Sequence, residues 1–170
     1  MMTIQAKEHF TVKPGKVLRG YPVDSPRAKA RLIVLALLAD GKLDADELEG
    51  LRRRGAFREL GIAQENFYEV LYDFCSDVTR VPAGTGNYLL SPELIEGLFA
   101  EVQDPAQRQT LLHLIFDVIR SDGLLAVGEA RLYWNAIDAW QLRIEDGRTV
   151  KHGAPHGRRH ARELRSWALP

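Results

Sequence analysis

A chain of 170 residues that is 45% hydrophobic and 27% charged has the make-up of a water-soluble globular protein, which excludes the fibrous and intrinsically disordered classes. Its 23 basic and 23 acidic side chains cancel, so no overall field draws it to nucleic acid or to a membrane surface. The cancellation hides an asymmetry: from Lys151 to Pro170, five basic residues face the single acid Glu163, a net +4 that leaves −4 on the rest.

Residues 1–24 read as an N-terminal extension. MMTIQAKEHF has no apolar stretch of signal-peptide length. HFTVKPGKVLRGY has two short β-prone runs around Pro14–Gly15, a hairpin candidate. Ser25–Pro26 supplies an N-cap and a first-position proline, and the helix they start runs through AKARLIVLALLAD to a stop at Gly41. It is apolar nearly all round from Leu32 to Ala39, which predicts a place in the middle of a bundle. That run is far short of the ~20 residues needed to cross a bilayer. A second helix begins at Asp44 (DADELEGLRRR), and a third covers Gln64 to Val78 with Phe67, Val70, Leu71, Phe74 and Val78 at helical spacing.

Cys75 falls within this third helix, where the expectation is a small core residue and not a reactive thiol. As the only cysteine it forms no internal disulfide, which points to a reducing, cytoplasmic setting. VPAGTGNY reads as a loop. Ser91–Pro92 opens a fourth helix, and Asp104–Pro105 a fifth, with Gln107 placed for a capping box. A sixth spans Val127 to Gln141, completing a helical domain over 25–141. Core packing is the expectation for the helical aromatics and for His113. In 142–170, LRIEDGRTV is a second hairpin candidate around Asp146–Gly147, able to pair with the first, and a basic tail follows it. The fold class is therefore all-α, a compact helical bundle with short hairpins expected at the termini.

An offset of 82 residues lays LIVLALLADGKLDADE over LIFDVIRSDGLLAVGE, so that Asp40, Gly41, Leu43 and Glu47 fall on Asp122, Gly123, Leu125 and Glu129. Each copy is an apolar helix, then D-G-x-L-x-x-x-E, then a second helix, the pattern of an internal duplication. A calcium EF-hand does not fit. With Gly41 at the loop's sixth position, the first and third fall on Ala36 and Leu38, and in the other copy on Val118 and Arg120, none of which supplies the required oxygen. Capping is the plain alternative, with Gly41 and Gly123 ending helices and Asp44 and Glu47 forming a capping box. Yet the second copy has Ala126 where the cap would stand and still keeps Asp122 and Glu129. A motif kept only for capping would keep its cap first.

The two corners LLADGKLDADE and VIRSDGLLAVGE resemble the TerB-like tellurite-resistance family, whose repeats carry A-D-G-x-[IL]-x-x-x-E, a signature shared with the helical domain of the co-chaperone DjlA. Ser121 stands in place of the usual alanine in the second corner. The resemblance implies an all-helical bundle and a divalent-cation site (calcium, magnesium or zinc) built from Asp40, Glu47, Asp122 and Glu129, with Asp44 as an additional ligand. It also implies a stress-response role exercised in protein complexes. The site needs both corners, since a hard cation takes roughly six to eight oxygens and one loop offers two carboxylates.

Two other functions compete. A metal-dependent phosphoester hydrolase would use the same acids, but no nucleophile motif, glycine-rich phosphate loop or His–carboxylate zinc spacing accompanies them. Tail-mediated binding to nucleic acid or acidic lipid would use Arg158, Arg159, Arg162 and Arg165 with Trp167, although no nucleic-acid-binding fold surrounds them. His152, His156 and His160 recur every four residues, but Gly153, Pro155 and Gly157 break any helix that would align them.

Overall fold

In the computed structural model the described residues are 18–39, 41–80, 90–120, 127–145 and 148–150. Helix α1 (Pro26–Leu37) starts where the Ser25 hydroxyl accepts the Ala28 amide and Pro26 occupies the first turn. Its apolar circumference does what the pattern predicts: every residue from Ala30 to Leu37 is buried, and the helix packs against α3, α4, α5 and α6. Each buried Leu, Ile or Val contributes about 1.5–3 kcal/mol relative to exposure, which makes α1 the chief hydrophobic element.

Helix α2 (Ala45–Arg53) is capped by Asp44 and buries only Leu51. A five-residue helix, α3 (Ala56–Leu60), lies between Gly55 and Gly61, both left-handed; the sequence pattern did not predict it. Helix α4 (Gln64–Val78) has the predicted bounds. Helices α5 (Pro92–Ala100) and α6 (Pro105–Ile119) are capped by Ser91 and Asp104, each with proline in the first turn. Helix α7 (Val127–Trp140) packs on α5 and α6. Trp140 closes this layer: its ring stands edge-on to Phe99 at 5.0 Å, and its indole Nε1–H donates to the Phe99 carbonyl at 3.0 Å. The described helical chain is all-α, as the pattern predicts.

The chain divides into two compact units after Trp140. The second contains the C-terminal hairpin expected from LRIEDGRTV, with β1 (Arg143–Glu145) pairing antiparallel with β2 (Arg148–Val150) and Ile144 opposite Thr149. Asp146 and Gly147, the N-terminal hairpin candidate around Pro14–Gly15, the VPAGTGNY loop and the basic tail lie outside the described residues.

Three expectations need correction. Cys75 is exposed, because it stands about 100° round α4 from the stripe formed by Phe67, Val70, Leu71 and Phe74. The partial burial that remains pushes its thiol up, away from the thiolate that reactivity requires. His113 is exposed as well. Not all the aromatics are core: Phe67, Phe74, Phe99 and Trp140 are buried, but Tyr72 is 74% exposed and Phe116 and Trp134 reach the surface. There Phe116 meets Tyr133 at 5.4 Å, and the Arg120 guanidinium lies over the Phe116 ring. Partial burial of Tyr133 pushes its hydroxyl pKa up.

Candidate functional site

The first corner joins α1 to α2. The Leu38 and Ala39 amides still donate back into α1, to the carbonyls of Val34 and Ala36, and the Gly41 amide closes the turn on the Leu38 carbonyl at 3.0 Å. Gly41 has φ +83, the left-handed conformation that ends a helix and that a Cβ disfavours. Asp44 then caps α2, accepting the Asp46 amide at 2.7 Å. Asp46 and Glu47 place negative charge in the first turn, where the helix dipole favours it.

In the second corner, α6 ends at Ile119 and α7 begins at Val127, 82 residues beyond the end of α1 at Leu37 and the start of α2 at Ala45. The offset found in the sequence is therefore also the offset between helix ends. Glu129 sits in the first turn of α7 and is only 5% exposed, one of three buried charged side chains among the described residues.

The corners touch. A Cβ placed on Gly128 would lie 2.3 Å from the Ala39 carbonyl oxygen and 3.2 Å from its carbon, so the backbone of α7's first turn rests directly on the turn that follows α1. The far end of α2 is also tied to α6: Arg54, just past α2, donates Nη1 to the Asp117 carbonyl at 3.3 Å and Nε to the Gly50 carbonyl at 3.1 Å.

Of the five residues proposed from sequence, Asp44, Glu47 and Glu129 are described. Asp44 is exposed and engaged as a cap, Glu47 is half-buried and Glu129 is buried. Asp40 and Asp122 lie outside the described residues. Among the described residues no group of three or more His, Cys, Asp or Glu has metal-holding geometry, so these three acids alone do not make a site. As donors, all five positions are carboxylates, which suit a hard cation such as calcium or magnesium better than zinc.

Sequence reasoning missed a second polar assembly, where residues 18–25 strap α1, α4 and α5 together. The Arg19 amide donates to Asp77 Oδ2 at 3.0 Å, and the Arg19 guanidinium pairs with Asp73 and Asp77. Asp77 is only 3% exposed. Arg31, 2% exposed, donates to the Arg19 carbonyl and to Glu101 Oε2 and lies over the Tyr21 ring. Asp24, at φ 58, accepts the amides of Gln103 and Asp104 at 2.7 and 3.0 Å. It thereby replaces half of the expected capping box: Asp104 does accept the Gln107 amide at 2.8 Å, but the buried Gln107 Oε1 has no hydrogen-bond partner among the described residues. The available signal was Arg31 itself, a charge inside an apolar helix that must be paired wherever it is buried.

A groove beside α5 and α7 is lined by Glu96, Gln103, Arg108, Asn135 and Asp138 over Phe99 and Trp140, and among the described residues no Ser, Cys or His lines it. No helix among the described residues is long and apolar enough to cross a membrane. No protein-family model matches the chain, no curated protein matches it, and no solved structure matches its fold.

Proposed function

We propose that this chain is a non-enzymatic, TerB-like module of the cytoplasm that binds a divalent cation where its two D-G-x-L-x-x-x-E corners meet and acts in a stress-response complex with a protein partner. The observation that carries this reading is the approach of Gly128 to the Ala39 carbonyl. Asp40 is bonded to Ala39 and Glu129 to Gly128, so acids of both corners are tethered to one point of backbone contact. One corner supplies too few oxygens for a hard cation, and two corners with bound water supply enough. Asp40, Glu47, Asp122 and Glu129 would hold the ion, with Asp44 exchanging its capping role for a ligand role. The ion would neutralise acids that otherwise repel one another and would bind the first corner to the second.

The test is titration with calcium, magnesium and zinc, followed by backbone NMR. Binding at a shared site moves the amides of both Gly41 and Gly123, calcium or magnesium more tightly than zinc, and the double variant Glu47→Gln, Glu129→Gln abolishes the response. Shifts at neither corner would return Asp44 and Glu47 to simple helix capping. Cells carrying the double variant in place of the native chain are expected to lose tellurite tolerance; unchanged tolerance would remove the stress-response part of the reading.

A further inference from the structure

The groove beside α5 and α7 has a volume of about 780 Å³, within the roughly 300–1,000 Å³ of small-molecule sites. No corner acid lines it, so what it binds is independent of the cation reading. Glu96 of α5 and Arg108 of α6 are opposite charges that share this groove without pairing. Among the described residues Glu96 makes no hydrogen bond or ion pair, and Arg108 makes no ion pair. Arg108 is nevertheless held in place, because its Nε donates to the Val102 carbonyl at 2.8 Å, which leaves the terminal nitrogens of the guanidinium as donors. The side-chain amides of Gln103 and Asn135 also line the groove and bond to no described residue.

We infer that this groove binds a small zwitterion, an ammonium and a carboxylate joined by a hydrocarbon frame. The carboxylate meets Arg108, whose paired terminal nitrogens match its two oxygens. The ammonium meets Glu96, and the frame lies over the apolar floor of Phe99 and Trp140. Glu96 stands about 6 Å of helix before the end of α5 at Ala100, and Val102, which holds Arg108, lies beyond that end. A frame of several methylenes suits that spacing. Asp138 adds a second carboxylate to the lining, so a dianion such as a phosphate monoester is repelled where a neutral zwitterion is not.

The experiment is isothermal titration of the full chain with ε-aminocaproate, and separately with caproate and hexylamine, which each carry one of its charges. The native chain is expected to bind ε-aminocaproate about two- to five-fold more tightly than either single-charge probe, the worth of one partly exposed ion pair. In Glu96→Gln that advantage over caproate disappears, while in Glu65→Gln, an equal change of charge on α4 outside the groove, it stays. Arg108→Gln loses the advantage over hexylamine; should it fail to fold, Glu96→Gln decides, since that exposed side chain supports no described contact. Backbone and side-chain amide spectra place the ligand: Gln103 and Asn135 must shift. No binding, equal affinity for all three probes, an unchanged advantage in Glu96→Gln, or shifts elsewhere with Gln103 and Asn135 unmoved would each overturn the inference, and all of them leave the cation reading as it stands.

Discussion

The two corners share a motif and a spacing but are held by different physics. After the first, α2 is a polar helix that buries Leu51 alone, rests chiefly on α3, and starts from the Asp44 cap. After the second, α7 buries Leu132, Ala136, Ile137 and Trp140 as well as Glu129, and packs on two helices. The helix after the first corner starts from a local hydrogen-bonded cap, and the helix after the second is secured by tertiary packing. That explains how Ala126 can stand where a cap would be: a helix anchored by several kcal/mol of burial tolerates the loss of about one at its end.

This contrast breaks most readily at the core. Trp140→Ala removes the edge-on contact with Phe99 and the bond to its carbonyl, and chemical denaturation should show a loss of about 3–5 kcal/mol. Leu51→Ala in α2 is expected near 2 kcal/mol, the low end for such truncations, because its helix has no other buried side chain. A larger loss at Leu51 than at Trp140 would reverse the assignment of packing to the second corner. Next come two glycines expected to differ in sign. Gly41→Ala forces a Cβ into a left-handed position and should cost about 1–2 kcal/mol, whereas Gly97→Ala should gain up to about 1 kcal/mol. Thermal melts of the pair compare them directly, and equal shifts would remove the special conformation from the first corner's account.

Asp44→Ala follows at about 1 kcal/mol, the usual worth of an N-cap; no change would mean that this corner does not depend on its cap. The smallest effect concerns charge on α2. Hydrogen bonds from Arg52 hold the Glu49 carboxyl below its usual range. A depressed acid stabilises above its unfolded value, near pH 4.3, and loses that contribution as pH falls through the lower folded value. Glu49→Gln should therefore melt slightly below the native chain at pH 7 in low salt, with the gap narrowing as pH falls below the unfolded value and closing at pH 7 on addition of salt. A gap that widens in acid would contradict the pairing.

Much of this architecture was legible in the sequence because its signals are local. Ser25–Pro26, Ser91–Pro92 and Asp104–Pro105 each start a helix, Gln64–Val78 shows its period on one face, and Asp146–Gly147 lies between two short strands that pair. Helix α3 escaped notice because five residues between two glycines are too few to display a period. His113 and Phe116 were misplaced for a related reason: α6 is apolar on several sides, and composition does not say which of them faces water. The remaining features join distant parts of the chain. Glu101 pairs with Arg31, Asp77 with Arg19, and Asp24 serves the start of α6, and no local pattern announces any of these. For the candidate site, the residue types and offset were readable, and the contact of Gly128 with Ala39 was not.

The pair of buried Arg31 and half-buried Glu101 has a consequence for descent as well as for folding. The two residues are 70 apart in the chain, yet loss of Glu101 leaves the buried Arg31 guanidinium without its counter-charge, and loss of Arg31 leaves a half-buried carboxylate without its cation. An apolar pair of similar volume would fit the same space. In sister sequences that diverge from this one, positions 31 and 101 should therefore mutate in concert, passing from cation and anion to two hydrocarbons through intermediates that are rare because they fold poorly.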